Sequence, residues 1–139
     1  MHLFRRSREL AAQALALTKS QAMIEFDPDG LILTANQNFL NAVGYRLDDI
    51  QGKHHGLFVE PQMRDGAEYR EFWAALRRGE HQAGEFRRIA KGDREIWIQA
   101  SYNPLLGAGG KPFKIVKVAT DITAQKLKNF EYEGQIKAI

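Results

Sequence analysis

Three segments in the second half of the chain alternate apolar and polar residues and are joined by very short turns, and this constrains the fold most tightly. Residues 83–90 run through Lys91-Gly92-Asp93 into residues 95–105, and Gly107-Ala108-Gly109-Gly110 with Pro112 turns the chain into residues 113–120. Connections this short join antiparallel neighbours, because a parallel crossover needs about a dozen residues or more. Near the N-terminus, Ala22, Ile24 and Phe26 alternate with Met23 and Glu25, and Asp27-Pro28-Asp29-Gly30 supplies turn chemistry before Leu31-Ile32-Leu33. A second hairpin is predicted there.

Between the hairpin and the three-strand run, the period changes to that of helices. Asn36 can cap a helix carrying Phe39, Leu40 and Val43, which ends at Gly44, and a shorter turn follows through Leu47 and Ile50 to Gly52. Tyr69, Phe72, Trp73 and Leu76 fall at i, i+3, i+4, i+7, with Glu68 near the start, Arg77-Arg78 near the end and Gly79 beyond. Residues 7–18 predict a flanking helix with Leu10, Ala14 and Leu17 on one face. Asp121 or Thr123 can cap a closing helix to Ile139 that carries Leu127, Phe130, Tyr132 and Ile136. The order implies an α+β fold: a five-stranded antiparallel sheet, short helices across one face, and helices at both ends.

At 139 residues and 44% hydrophobic, the chain supports one core rather than two. With no cysteine there is no disulfide, no thiolate nucleophile and no photochemical cysteinyl adduct. The net charge of +3 is spread over separate pairs (Arg5-Arg6, Arg77-Arg78, Arg87-Arg88, Lys126/Lys128) without a groove-reading motif, so no nucleic-acid partner is expected. The apolar stretches are too short to span a bilayer and no signal peptide follows Met1, so a cytoplasmic location is expected. His2, His54, His55 and His81 are too scattered for a metal cluster, and no nucleophile or phosphate-loop motif is present, so no enzyme is expected.

Several strings on this framework resemble the PAS family, in particular PAS domains of bacterial methyl-accepting chemotaxis and aerotaxis transducers. They are Asp27-Pro28-Asp29-Gly30, Ala35-Asn36 through Gly44-Tyr45, Gly79-Glu80 with Gly84-Glu85-Phe86, the run Glu95 to Pro104, and Ala119-Thr120-Asp121-Ile122-Thr123. The likeness spans about residues 21–123, leaving residues 1–20 as an N-terminal helical cap and 124–139 as a connector helix. It implies a small molecule held against the helical face of the sheet and a signal leaving through Asp121 and Thr123. The Leu10/Ala14/Leu17 stripe is expected to lie on the sheet or against the same helix of a second copy, so a homodimer is expected. The connector character of residues 124–139 leads to the expectation of a further PAS or methyl-accepting signalling domain of the same chain beyond residue 139.

Strand parity puts Ile96, Ile98, Ala100 and Tyr102 on one face, assigned to the chamber, and Trp97, Gln99, Ser101 and Asn103 on the other. The same count places Ile115, Lys117 and Ala119 inward. Lys117 then either meets an anion or a carboxylate inside, or a register shift leaves it in water. By resemblance to flavin-binding aerotaxis domains, Trp73 stands one turn before Arg78-Gly79-Glu80 and implies FAD, with Asn36 or Asn38 on its polar edges; plain core packing reads Trp73 equally well. Val59, Glu60 and Gln62 replace the Arg-His pair and Asp of the flavin receptors, which leaves Lys53, Arg64 or Lys117 as cationic substitutes. The rival reading is haem b, ligated by His54 or His55 but not both, although the last strand lacks the tryptophan that some haem PAS receptors use. An empty or small-metabolite pocket, or a cofactor-free dimerisation module, completes the alternatives.

Overall fold

The structure is a computed structural model and describes residues 2–138. Its sheet has the order β2-β1-β5-β4-β3, with every neighbouring pair antiparallel. The strands are β1 (Ala22–Phe26), β2 (Ile32–Ala35), β3 (Gln82–Ala90), β4 (Arg94–Leu106) and β5 (Pro112–Asp121). The last strand therefore lies at the centre, between the two hairpins that the turn chemistry predicts. Gly92 and Gly109, at φ 76° and 81°, occupy the left-handed conformation that the two tight turns of the meander require.

The helices between β2 and β3 are α2 (Gln37–Val43), α3 (Leu47–Ile50), a 3₁₀ turn at His55–Phe58, α4 (Pro61–Arg64) and α5 (Ala67–Arg77). Helices α2, α3 and α5 and the 3₁₀ turn bury side chains against one sheet face, whereas α4 buries none and packs on α5. Helix α5 extends the predicted stripe by a residue or two at each end; it buries Trp73 and Leu76 and leaves Phe72 partly covered. Opposite it, Ile96, Ile98, Ala100 and Tyr102 of β4 and Ile115 and Ala119 of β5 are buried, so the inward parity holds on both strands. Rings of Phe26, Phe39, Phe58, Trp73 and Tyr102 fill the layer between sheet and helices. Burying one such side chain contributes about 1.5–3 kcal/mol, so this layer holds the helices to the sheet.

The flanking helices belong to the other side. Helix α1 (His2–Ser20) begins earlier than the apolar stripe predicts and has no buried residue. Leu10 and Leu17 stay 55% and 53% exposed, because only the C-terminal end of α1, at Ala14, Leu17 and Thr18, borders the sheet, near Met23 and Val116. Helix α6 (Thr123–Ala138) follows β5 after one residue and returns along the outer face, where Phe130 and Lys126 meet the Trp97 ring. Ile139 lies outside the described residues, as does the side chain of Ile136. No helix among the described residues is long and apolar enough to cross a membrane.

Candidate functional site

His55 opens the 3₁₀ turn and is fully buried beneath the sheet. Its Nδ1 lies 2.7 Å from Tyr69 Oη and its Nε2 lies 2.9 Å from Tyr102 Oη, so one phenol comes from α5 and the other from β4. Arg88 Nη2 donates to Tyr102 Oη at 3.2 Å, extending the chain of polar groups into β3. A neutral imidazole has one N–H and one lone pair. With Arg88 donating into Tyr102 Oη, both ring nitrogens and the Tyr102 hydroxyl are satisfied when Tyr102 donates to Nε2 and Nδ1–H donates to Tyr69 Oη. Aromatic rings enclose the imidazole, with Phe26 and Trp73 at centroid distances of 5.3 and 5.4 Å.

Two cations share this interior. Lys117 is 1% exposed and Arg88 6%. The Lys117 ammonium rests over the Tyr102 ring at 4.8 Å and the Phe39 ring at 5.6 Å, and the Arg88 guanidinium covers Phe86 at 4.7 Å. Lys117 thus takes the inward position, and the register shift that would expose it does not occur, since Ile24 and Tyr102 pair with it in the ladder.

The burial is legible in the titration of these groups. Burial, then Lys117, Arg88 and His54, hold the His55 imidazole well below its ordinary value of 6.5. Burial likewise lowers Lys117, with Arg88 adding to the effect and Tyr102 opposing it. Burial pushes the Tyr102 phenol up, but Lys117 and Arg88 outweigh it and the net shift is downward. Tyr69, half a shell further out, is raised to about 12, chiefly by burial.

Not every residue assigned to a ligand from the sequence comes to this place. The Asn36 side chain caps α2 by accepting from Phe39 N, accepts from Met23 N, and donates to Thr18 O and Gln21 O. Its four bonds tie α1 to β1 on the sheet's other side and leave nothing for a cofactor. Asn38 donates to Lys19 O and Gln21 O and is solvent-exposed. His54 is exposed and its Nδ1 accepts from Gly56 N, capping the turn, while its neighbour His55 points inward. Trp73, Ile98, Ala100, Tyr102, Lys117 and His55 do converge. Of the substitute cations, Arg64 spends its Nε on Val59 O and Lys53 is exposed. Arg88 and Tyr69 were not singled out from the sequence.

The free space inside is small. A cavity of about 20 Å³ lies between Phe39, Phe58, Ile96, Ile98, Arg88 and Lys117. That is room for about one water-sized particle. Outside it, a groove of about 530 Å³ runs between α4, α5 and β3, lined by Met63, Tyr69, Phe72, Phe86 and Arg88. The donor chemistry for a flavin is partly present, because the buried Trp73 Nε1 and Arg88 Nε have no hydrogen-bond partner. The enclosed room is small beside an isoalloxazine or porphyrin ring, since the cavity within the aromatic layer is about 20 Å³. Haem ligation by His55 would also require freeing Nε2 from Tyr102. Among the described residues, no group of three or more His, Asp or Glu side chains is placed to hold a metal ion.

Comparison with known proteins gives a consistent picture. Residues 32–119 match a family model described as the PAS fold. The chain is 41% identical over 126 residues to the biofilm dispersion protein BdlA of Pseudomonas aeruginosa, a match covering 91% of this chain and 30% of that protein. It is 29% identical over 83 residues to the aerotaxis receptor of Escherichia coli, covering 60% of this chain and 16% of that receptor. The chain thus spans less than a third of either relative. Among solved structures it resembles that of a light-oxygen-voltage domain whose mechanism was studied with a flavin analogue. That match has a TM-score of 0.69 at 22% identity, covering 91% of this chain and 96% of that one. An RNA-binding light-oxygen-voltage receptor gives a TM-score of 0.74 at 17% identity, covering 93% and 37%. At these identities the structures speak to the fold alone.

Proposed function

This chain belongs to the PAS-fold family, and on that premise we propose that it is the sensory input module of a chemotaxis-type receptor, passing changes in its interior to α6. The similarity to the aerotaxis receptor supports the sensory reading. The observation that carries the relay is the position of β5, central in the sheet, lining the interior with Lys117 and Ala119 and entering α6 after Ile122. Asp121 Oδ1 accepts from Thr123 N at 2.9 Å, Thr123 Oγ1 accepts from Trp97 N at 3.0 Å, and Ile122 N donates to Trp97 O at 2.8 Å. A displacement of β5 against β4 therefore acts on the first turn of α6 directly. Ala119→Val puts a methyl pair into the cavity where a guest would sit. Several-fold altered amide exchange is expected in α6 relative to α5; unchanged α6 exchange would reject the relay.

FAD is the guest implied by resemblance to aerotaxis domains, and a cavity of about 20 Å³ is far smaller than its ring system. A guest of a few atoms suits the cavity better. Homodimerisation is proposed through α1, whose Leu3, Phe4, Leu10 and Leu17 remain more than half exposed. One purified sample tests both statements: it should be colourless after incubation with excess FAD and gel filtration, and sediment as a dimer. A retained flavin spectrum would overturn the first statement and a monomer the second.

A further inference from the structure

Lys117 and Arg88 are buried cations, and among the described residues neither forms a salt bridge. Arg88 Nη1 donates to Arg87 O and Nη2 to Tyr102 Oη, both at 3.2 Å, and Nε donates to nothing. Lys117 has two aromatic faces beneath it in place of a carboxylate. Both side chains border the same 20 Å³ cavity, whose other walls are apolar apart from Asp121. Asp121 stands at the exposed end, two same-face steps from Lys117 and so ~13 Å along the strand, with Oδ1 already on Thr123 N. The Tyr102 hydroxyl, the acidic group nearest both cations, is engaged by His55 and Arg88.

Two like charges buried side by side without a counter-charge are costly, and buried cations are ordinarily paired. The cavity between them is large enough for one small particle and too small for a phosphate, a sulfate or a metabolite with a carbon chain. We infer that this cavity binds one small monovalent anion, a halide or an oxyanion of three non-hydrogen atoms such as formate or nitrite, between Lys117 Nζ and the Arg88 guanidinium. The bound charge offsets both cations and completes the donor set that Arg88 Nε leaves open. This inference deepens the sensory reading by naming the chemistry of its guest, but its test reads binding alone. The Ala119→Val experiment uses no anion, so either can fail without the other.

The test is thermal unfolding of the full chain at fixed pH and ionic strength, with chloride, bromide, formate or nitrite replacing gluconate. A saturable rise in midpoint of at least ~3 °C is expected for the small anions, following ordinary ligand linkage. The separate titrations show whether a halide or an oxyanion is preferred. Lys117→Met keeps the length of the side chain without its charge and should abolish the anion-specific rise. Equal midpoints in gluconate and in every small anion would overturn the inference, as would an undiminished rise in the Lys117→Met protein. Should that variant not fold, bromide diffusion into crystals of the unaltered chain decides. An anomalous peak between Lys117 and Arg88 supports the site, and its absence rejects it.

Discussion

Acidification below pH 6.5 should destabilise the domain through His55, with a slope of at most the single-proton limit of about 1.4 kcal/mol per pH unit. The sign follows from the proton balance. In the unfolded chain the imidazole titrates at its ordinary value of 6.5, whereas the buried ring, facing Lys117, Arg88 and His54, holds its proton only at much lower pH. Above 6.5 neither state is protonated and the contribution of the buried neutral ring is fully present. As pH falls through 6.5 the unfolded chain takes up a proton that the folded one refuses, and stability declines until the folded-state value is reached. Lys117 acts in the same direction in the alkaline range: its lowered folded-state value makes the unfolded chain the better proton acceptor up to 10.5, so stability rises with pH there too. Urea unfolding midpoints across the acid range, compared between the unaltered chain and His55→Gln, measure the slope. The variant starts less stable, because Tyr69 and Tyr102 lose a partner shaped for both, but its acid slope should be shallower. An equally steep slope in His55→Gln would show that the acid sensitivity arises elsewhere.

The network behind this behaviour was only partly readable from residue patterns. The strand parity of β4 and β5 is a local property, set by alternation and by turns at Gly92 and Gly109, and it correctly sends Tyr102 and Lys117 inward. Arg88 could have been found by the same arithmetic. The β3–β4 ladder pairs it with Ile96 and pairs Phe86 with Ile98, so the inward face of one strand dictates that of the next. Read in isolation, Arg87-Arg88 is a basic pair like the others. Asn36 illustrates a different gap, in that one side chain serves equally as a helix cap or as a cofactor contact. Only the proximity of Thr18 and Gln21, set by where α1 leaves the sheet, assigns its amide to backbone. The filled chamber was not legible at all, because free volume is the residue of many side-chain volumes and rotamers in three dimensions. Phe26, Phe39, Phe58, Trp73 and Tyr102 mark an apolar layer in the sequence, and whether they line a hole or plug it depends on how they interlock.

Trp97→Ala should release α6 from the sheet while leaving the interior intact, and this carries the relay argument furthest from the chamber. The Trp97 ring stands on the outer face, its centroid 6.1 Å from that of Phe130 and 5.0 Å from Lys126 Nζ. Lys126 also pairs with Glu85 of β3 at 3.0 Å, so α6 is held across two strands. An aromatic pair and a cation–π contact contribute about 1 kcal/mol each beyond the area they cover, and removing the ring costs roughly 2–3 kcal/mol in all. If that energy holds the helix closed, amide exchange over residues 126–134 should accelerate by ~30–150-fold, the factor that 2–3 kcal/mol implies at 1.36 kcal/mol per decade. The backbone bonds of Trp97 to Ile122 and Thr123 survive the substitution, so the first turn should open less than the turns beyond it. Asp121→Ala removes one hydrogen bond from that first turn and should show the reverse gradient, at about 1 kcal/mol. The interior offers the control, since Leu76 and Tyr102 do not touch the ring and their amides should exchange at the rate set by global unfolding. Faster exchange spread evenly over the whole domain would mean that Trp97 merely stabilises the sheet, and the helix would then have no separate state for a signal to select.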